Sequence, residues 1–281
     1  MSKPITAALV NELRQRTSIP MMECKAALQE AGGDMEKAID LIRVKMKGVG
    51  VKRAGNETAE GRIGVFIDTA AQVGALVEMR CESAPVAKGE HFVKLANTVA
   101  QVVATKNPAN AEALLAASDA SGKTVADLVA DTIGVLRENM RAHRFTRLQG
   151  GAFGEYIHHD GTLGVLLQVK GTPSNPAVLR DICMHIAAVQ PTPVAARREE
   201  VDPAVVAKEK EIAKAKAEAT GKPAQIAEKI AEGQMKTWFA ENVLVEQPFV
   251  KDQAKSVGEV LKDAGVEVTR FVRFKVGEIT A

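Results

Sequence analysis

The sequence predicts an α+β fold: a helical module followed by two related subdomains with small antiparallel sheets, the second interrupted by a helical arm. Three observations carry that reading. Apolar side chains recur at helical spacing through the first fifty residues, a segment beginning at Gly61 repeats ninety residues later, and a Lys/Glu/Ala-rich stretch breaks into the second copy.

Ile5, Leu9 and Leu13 stand at i, i+4 and i+8, and Thr17-Ser18-Ile19-Pro20 then breaks the chain. Cys24, Ala27 and Leu28 open a second stripe that stops at Gly32-Gly33. Asp34 is placed to cap a third helix with Met35, Ala38, Ile39 and Ile42 on its inner face. Three short helices make a marginal core, so residues 1–50 are expected to lean on a partner or to carry a docking surface. Of Met21 and Met22 at the start of the second helix, one is expected to face the core and the other solvent. The basic, glycine-containing stretch from Lys45 to Gly55 reads as linker, with the linker proper at 51–60.

Gly61 to Met79 falls over Gly151 to Val169 without gaps. Gly61 matches Gly151, Gly64 matches Gly154, Ile67 matches Ile157, Gly74 matches Gly164, Leu76 matches Leu166, and Phe66 falls on Tyr156. Each copy reads as a β-hairpin, turning at Asp68 to Gln72 and at His158-His159-Asp160-Gly161, where Asp-Gly suits a tight turn. A helix follows each hairpin, through Phe92, Leu95, Ala96 and Val99 and through Leu179, Ile182, Cys183 and Ile186. Lys123-Thr124-Val125 and Lys255-Ser256-Val257 match as helix starts, the second with capping-box spacing to Glu259. Strands over 141–148 and 268–276 close the copies, which gives core subdomains 61–150 and 151–281.

The insertion, 200–240, opens on Asp202-Pro203, a cap followed by a proline where its missing N–H is harmless. Val205, Ile212 and Ala219 keep heptad spacing, Gly221-Lys222-Pro223 turns the chain, and Ile226, Ile230 and Gly233 mark the return. The pair is expected to project as an antiparallel coiled-coil hairpin about 25 Å long at 1.5 Å per residue. Its Glu-Lys runs read as a solvated face, and Trp238, Phe249 and Phe271 as core or hinge aromatics.

Composition narrows the function. With 37 Lys and Arg against 35 Asp and Glu, the net charge of +2 argues against general nucleic-acid binding. No apolar run approaches the roughly 20 residues of a membrane span, and the first ten residues carry no leader pattern. Cys24, Cys81 and Cys183 are too far apart for a redox or metal motif and read as small buried apolar groups, so a cytoplasmic setting is expected. The absence of Walker A, GxGxxG, GxSxG and HExxH motifs argues against direct nucleotide binding, against a cofactor and against an enzyme. Among His91, His143, His158, His159 and His185, the 158–160 cluster suggests a metal only weakly. Adjacent turn residues are expected to point apart, and no third ligand is suitably spaced.

Many short segments in order resemble bacterial elongation factor Ts, the family of exchange factors for elongation factor Tu. They are Leu13 to Thr17, Met21 to Leu28, Cys81 through Val86-Ala87-Lys88, Met184 to Ala188, Gly221-Lys222-Pro223, Ile226 to Lys229, Glu232-Gly233, Gln247 to Val250 and Phe271 to Phe274. The resemblance implies a ubiquitin-associated-like N-terminal module, a two-subdomain core and a coiled-coil insertion. It also implies a non-enzymatic function: binding elongation factor Tu carrying GDP and promoting GDP release so that GTP can load. Leu13, Arg14, Met21 and Met22 match the family's N-terminal contacts, and His158 matches its histidine at the second hairpin. The family's wedge reads Thr-Asp-Phe-Val-Ala-Lys, where this chain has Ser83, Ala84, Pro85, Val86, Ala87 and Lys88. The carboxylate and the ring are both replaced. Two rivals follow: a tether or chaperone of elongation factor Tu that exchanges nothing, and a ubiquitin-binding module on an unrelated scaffold. A homodimer through the core is left open.

Overall fold

The computed structural model describes residues 4–278 apart from Lys222, which leaves the middle of the predicted Gly221-Lys222-Pro223 turn outside the described residues. Helix α1 (Ala7–Thr17) starts on Thr6, whose hydroxyl accepts the Leu9 N–H, and ends at Ser18 in the left-handed conformation. Helix α2 (Met21–Glu30) ends at Gly32 and Gly33, with φ of 63° and 82°. Asp34 caps α3 (Met35–Arg53) through Lys37 N at 3.0 Å. Val10, Leu13, Ile19, Cys24, Ala27, Leu28, Ala38, Ile42 and Met46 form the core between these helices.

Helix α3 runs through much of the stretch expected to be linker. Its last turns bury Met46 and pack Val49 against the next core, and both need a continuous helix to reach it. Met46 lies against Gly134 of α7 (Val125–Leu136), so close that a Cβ there would stand 2.4 Å from its sulfur. Val135 packs on the module, and Arg137 pairs with Glu23 of α2. The marginal three-helix core leans on the rest of the chain itself.

Strands β1 (Glu60–Asp68), β2 (Val73–Cys81) and β3 (Met140–Gln149) form one antiparallel sheet in the order β1-β2-β3. Strands β4 (Ala152–Ile157), β5 (Leu163–Lys170) and β8 (Glu267–Lys275) form the other in the order β4-β5-β8. The ninety-residue repeat survives into the pairing. Gly64 faces Val77 as Gly154 faces Leu167, Ile67 faces Gly74 as Ile157 faces Gly164, and the register slips after Glu78 in one sheet and after Gln168 in the other.

The repeated glycines are explained by close approach. A Cβ on Gly64 would lie 2.3 Å from the Ala96 carbonyl of α5 (Glu90–Lys106), and one on Gly154 would lie 2.5 Å from Leu179 of α8 (Ala177–Ala188). Gly74 and Gly164 face the opposite sheet, where a Cβ would meet Phe153 and Ile63 respectively. Ile63, Leu76, Leu148, Leu166 and Phe274 fill the space between the sheets. Glu78 is buried at this junction, bound by Arg80 and by Arg144 at 2.6 Å, and Arg144 also donates to the Lys275 carbonyl of the second sheet.

Thr124 caps α7 and Ser256 caps α11 (Val257–Asp263), the latter as a capping box with Glu259. Lys123–Asp131 and Lys255–Asp263 repeat the same 2.7 Å ion pair. A small hairpin of β6 (Pro248–Phe249) and β7 (Asp252–Ser256) precedes α11. The second connection, 158–162, runs one residue beyond the expected turn at His158 to Gly161.

The inserted arm is an antiparallel pair, α9 (Pro203–Glu218) and α10 (Ala224–Asn242). Its buried seam is Ala213, Ala217, Ala227 and Met235, not the expected stripe: Val205, Ala219, Ile226 and Gly233 are exposed, while Ile212 and Ile230 are half-buried. Two helices alone gain most by close backbone approach, so the alanines take the seam and the bulkier residues flank it. Trp238 and Phe239 anchor the arm against Ala195, Val201 and Val243, while Phe249 and Phe271 belong to the second core. All three cysteines are free and buried, and burial pushes the Cys81 thiol up to about 12. Among the described residues, no helix is long and apolar enough to cross a membrane.

Candidate functional site

The candidate contact residues fall on three elements. At the N-terminal module, Arg14 is exposed, and Met21 and Met22 are 47% and 73% exposed. The expectation that one of the methionines would face the core is corrected. Helix α2 begins at Met21 with no preceding turn above it, and Cys24, Ala27 and Leu28 take the inner positions. Leu13 is completely buried in the module's core, so its side chain offers no surface and acts by holding α1 in place.

The 84–88 stretch, the position of the family's wedge, is a helical turn, α4 (Ala84–Lys88). Pro85 fits the first turn because no intrahelical N–H is required there. Pro85 and Lys88 are exposed, Ala84 and Val86 half-buried, and Ala87 is buried, with Val86 packed on the first core. A reciprocal clamp holds the start of α4. Glu138 accepts from Ser83 N at 3.0 Å and from Ser83 Oγ, while Glu82 accepts from Asn139 N and from Asn56 Nδ2 at 3.0 Å. The Asn139 backbone bond, outweighing some desolvation, holds the Glu82 carboxyl below the usual range.

Three consecutive residues after α7 therefore tie two of the candidate surfaces together. Arg137 grips Glu23 beside the methionine pair, Glu138 grips Ser83, and Asn139 is gripped by Glu82. Sequence reasoning missed this turn, because its partners lie 114, 55 and 57 residues away and no local pattern marks it.

The third element is the 158–162 tip. His158 is half-buried, with Nδ1 2.9 Å from the Tyr156 hydroxyl, and His159 is exposed. The two imidazoles do not point apart as expected, since their ring centroids are 4.3 Å from each other. Asp160 spends its Oδ1 on Thr162 N and Oγ1, both at 2.9 Å, which shapes the tip. Among the described residues no group of three His, Cys, Asp or Glu side chains could hold a metal ion.

The tip is seated on the first sheet: Gly161 O accepts from Ile63 N at 2.8 Å. The neighbouring Arg62 donates from Nη1 to the Ala87 carbonyl of α4 at 3.3 Å. One strand, β1, thus carries both α4 and the tip. The arrangement presents an exposed proline, an exposed lysine and a histidine tip on one frame.

The family model described as "Elongation factor TS" matches residues 85–278. The elongation factor Ts of Thioalkalivibrio sulfidiphilus is 45% identical over 277 residues, which is 98% of this chain and 92% of that protein. Elongation factor Ts of Methylococcus capsulatus is 44% identical with the same coverage. That of Nitratidesulfovibrio vulgaris is 39% identical over 99% of this chain and 97% of its own length.

Proposed function

The chain belongs to the elongation factor Ts family, and on that premise we propose that it releases GDP from elongation factor Tu by pressing three surfaces of one frame against it. Members of the family act on elongation factor Tu as guanine nucleotide exchange factors and make or break no covalent bond. In this reading Arg14, Met21 and Met22 grip the partner, and Ala84, Pro85, Val86 and Lys88 of α4 form the wedge with Ala87 as its seat. His158 is the contact of the second hairpin, and Leu13 supports the first grip from within.

The observation that carries the reading is the frame. Exchange requires preferential binding to the nucleotide-free partner, so that the factor weakens GDP by the same factor that GDP weakens it. Elements that yield on contact transmit little of that preference, whereas the start of α4 is held by the Ser83–Glu138 and Asn139–Glu82 bonds and the tip is bonded to β1. The same reading takes 1–50 as a ubiquitin-associated-like module, 61–150 and 151–281 as core subdomains and 200–240 as a coiled-coil arm, with a core face available for a homodimer. Because α3 extends to Arg53, the linker within 51–60 is short.

The altered wedge favours a second reading, in which the chain holds elongation factor Tu as a tether. Stopped-flow release of a fluorescent GDP analogue from the cognate elongation factor Tu, across magnesium concentrations, separates the two. Strong acceleration by this protein is expected. Tight binding with no acceleration makes it a tether.

A further inference from the structure

β1 carries an arginine at the seam where α4 and the second hairpin tip both meet the strand. On one side, Arg62 Nη1 reaches the carbonyl of Ala87, the buried residue of α4, at 3.3 Å. On the other, the guanidinium lies against the backbone of Gly161. A Cβ at that glycine would stand 2.9 Å from Arg62 Cζ and 3.0 Å from one terminal nitrogen. Gly161 has φ +79°, a conformation that already favours glycine, and its carbonyl is bonded to the residue next to Arg62. The Asp160 carboxylate supplies a nearby opposite charge.

As a stabilising residue Arg62 is a poor choice. It is half-buried, its protein hydrogen bond is long, and its Nε is buried with no partner among the described residues. Buried donors left unmatched cost stability, and an apolar side chain of similar length would avoid that cost. What a guanidinium offers instead is a rigid planar cation that touches two backbones at once.

We infer that Arg62 is a positioning residue that couples α4 to the 158–162 tip, so that displacement of one by elongation factor Tu is transmitted to the other. This rests on the proposed function, because the coupling matters only if both elements press on that partner. Its consequence is that the wedge and the hairpin act as one contact rather than two.

A double-mutant cycle in GDP-release kinetics tests it, using Pro85→Ala on α4 and His158→Ala on the tip, each with Arg62 intact and with Arg62→Met. With Arg62 in place, the combined effect on the release rate is expected to depart from the product of the single effects by about threefold or more. In Arg62→Met the effects should multiply, and Arg62→Lys, which keeps a donor for Ala87 but not the planar contact, should restore part of the departure. Asp160→Asn keeps an oxygen for the Thr162 bonds and removes only the nearby charge. It should weaken the coupling without disturbing the fold, so the test survives if Arg62→Met is unstable by circular dichroism and melting. Single effects that multiply with Arg62 present, or a departure that persists in Arg62→Met, overturn the inference while leaving the three surfaces standing. If neither single substitution alters release, the surfaces themselves fail and the inference with them.

Discussion

His185 has no exposed surface, and its neighbours dictate its charge state. Val250 N–H donates to Nδ1 at 3.3 Å, so Nε2 carries the proton and donates it to Gln247 Oε1 at 3.0 Å. Gln247 Nε2 in turn donates to the carbonyls of Pro191 and Glu241, which ties the base of the arm to α8. Burial pushes the His185 pKa below its ordinary value, against a smaller opposing pull from Gln247. The unfolded chain takes up this proton near pH 6.5, before the native one does. Stability is therefore full above about pH 6.5 and falls as the pH drops from there toward the depressed native value. The urea midpoint should decrease between pH 7.5 and 5.5, and His185→Gln should flatten that dependence. An undiminished slope would place it on His143, whose pKa burial also lowers. In the sequence, Met184 to Ala188 and Gln247 to Val250 were separate strings matched to a family, and His185 had no role. The reason is distance along the chain: the lock joins residues 62 and 65 positions apart, and only the folded backbone brings them together.

Among the elements, those dictated locally were legible and those dictated by packing were not. Caps at Asp34, Thr124, Asp202 and Ser256 need only a side-chain oxygen and the next N–H groups, and each stands where the sequence placed it. The linker and the arm's seam depended on what the helices would meet, which spacing alone does not encode. The glycines make the same division measurable. Gly64→Ala and Gly154→Ala would drive a methyl into Ala96 and Leu179, with backbone atoms within 2.9 Å, so each should destabilise the protein by about 1–3 kcal/mol. Gly233 lies mid-helix in α10 with nothing near its missing Cβ, so Gly233→Ala should stabilise by about 1 kcal/mol. Denaturant titrations of the three variants check this. Equal effects at 64 and 233 would remove the close-approach explanation of the repeat. The clamp is an element-scale device as well. Glu138→Ala removes both acceptors from Ser83 and should slow GDP release roughly tenfold, a loss in keeping with one or two hydrogen bonds to a charged group. The affinity for the GDP-bound partner should fall less, since the methionine grip is untouched and the wedge acts on the opened state; an equal loss in both would mean that Glu138 serves binding alone.

At the scale of the whole molecule, the question is how far one changed wedge weakens an exchange factor built as a frame. By linkage, the preference for the nucleotide-free partner is a sum over every surface that the partner's opening alters, so the methionine pair and the tip contribute alongside α4. An aromatic anchor in a partner pocket can nonetheless be worth about 2 kcal/mol, roughly thirtyfold in rate or affinity. The fold leaves room to restore it. Pro85 is exposed and makes no backbone bond that a phenylalanine would break, and Ala84 is the first residue of α4, where a carboxylate meets the favourable end of the helix dipole. Ala84→Asp with Pro85→Phe should therefore fold normally and raise the rate of GDP release from elongation factor Tu by up to about thirtyfold. The affinity for the GDP-bound partner should change less, because the gain belongs to the opened state. An unchanged or slower release in a folded double variant would mean that α4 does not enter the partner as a wedge in this protein, and that the preference for the open state resides in the module and the hairpin tip.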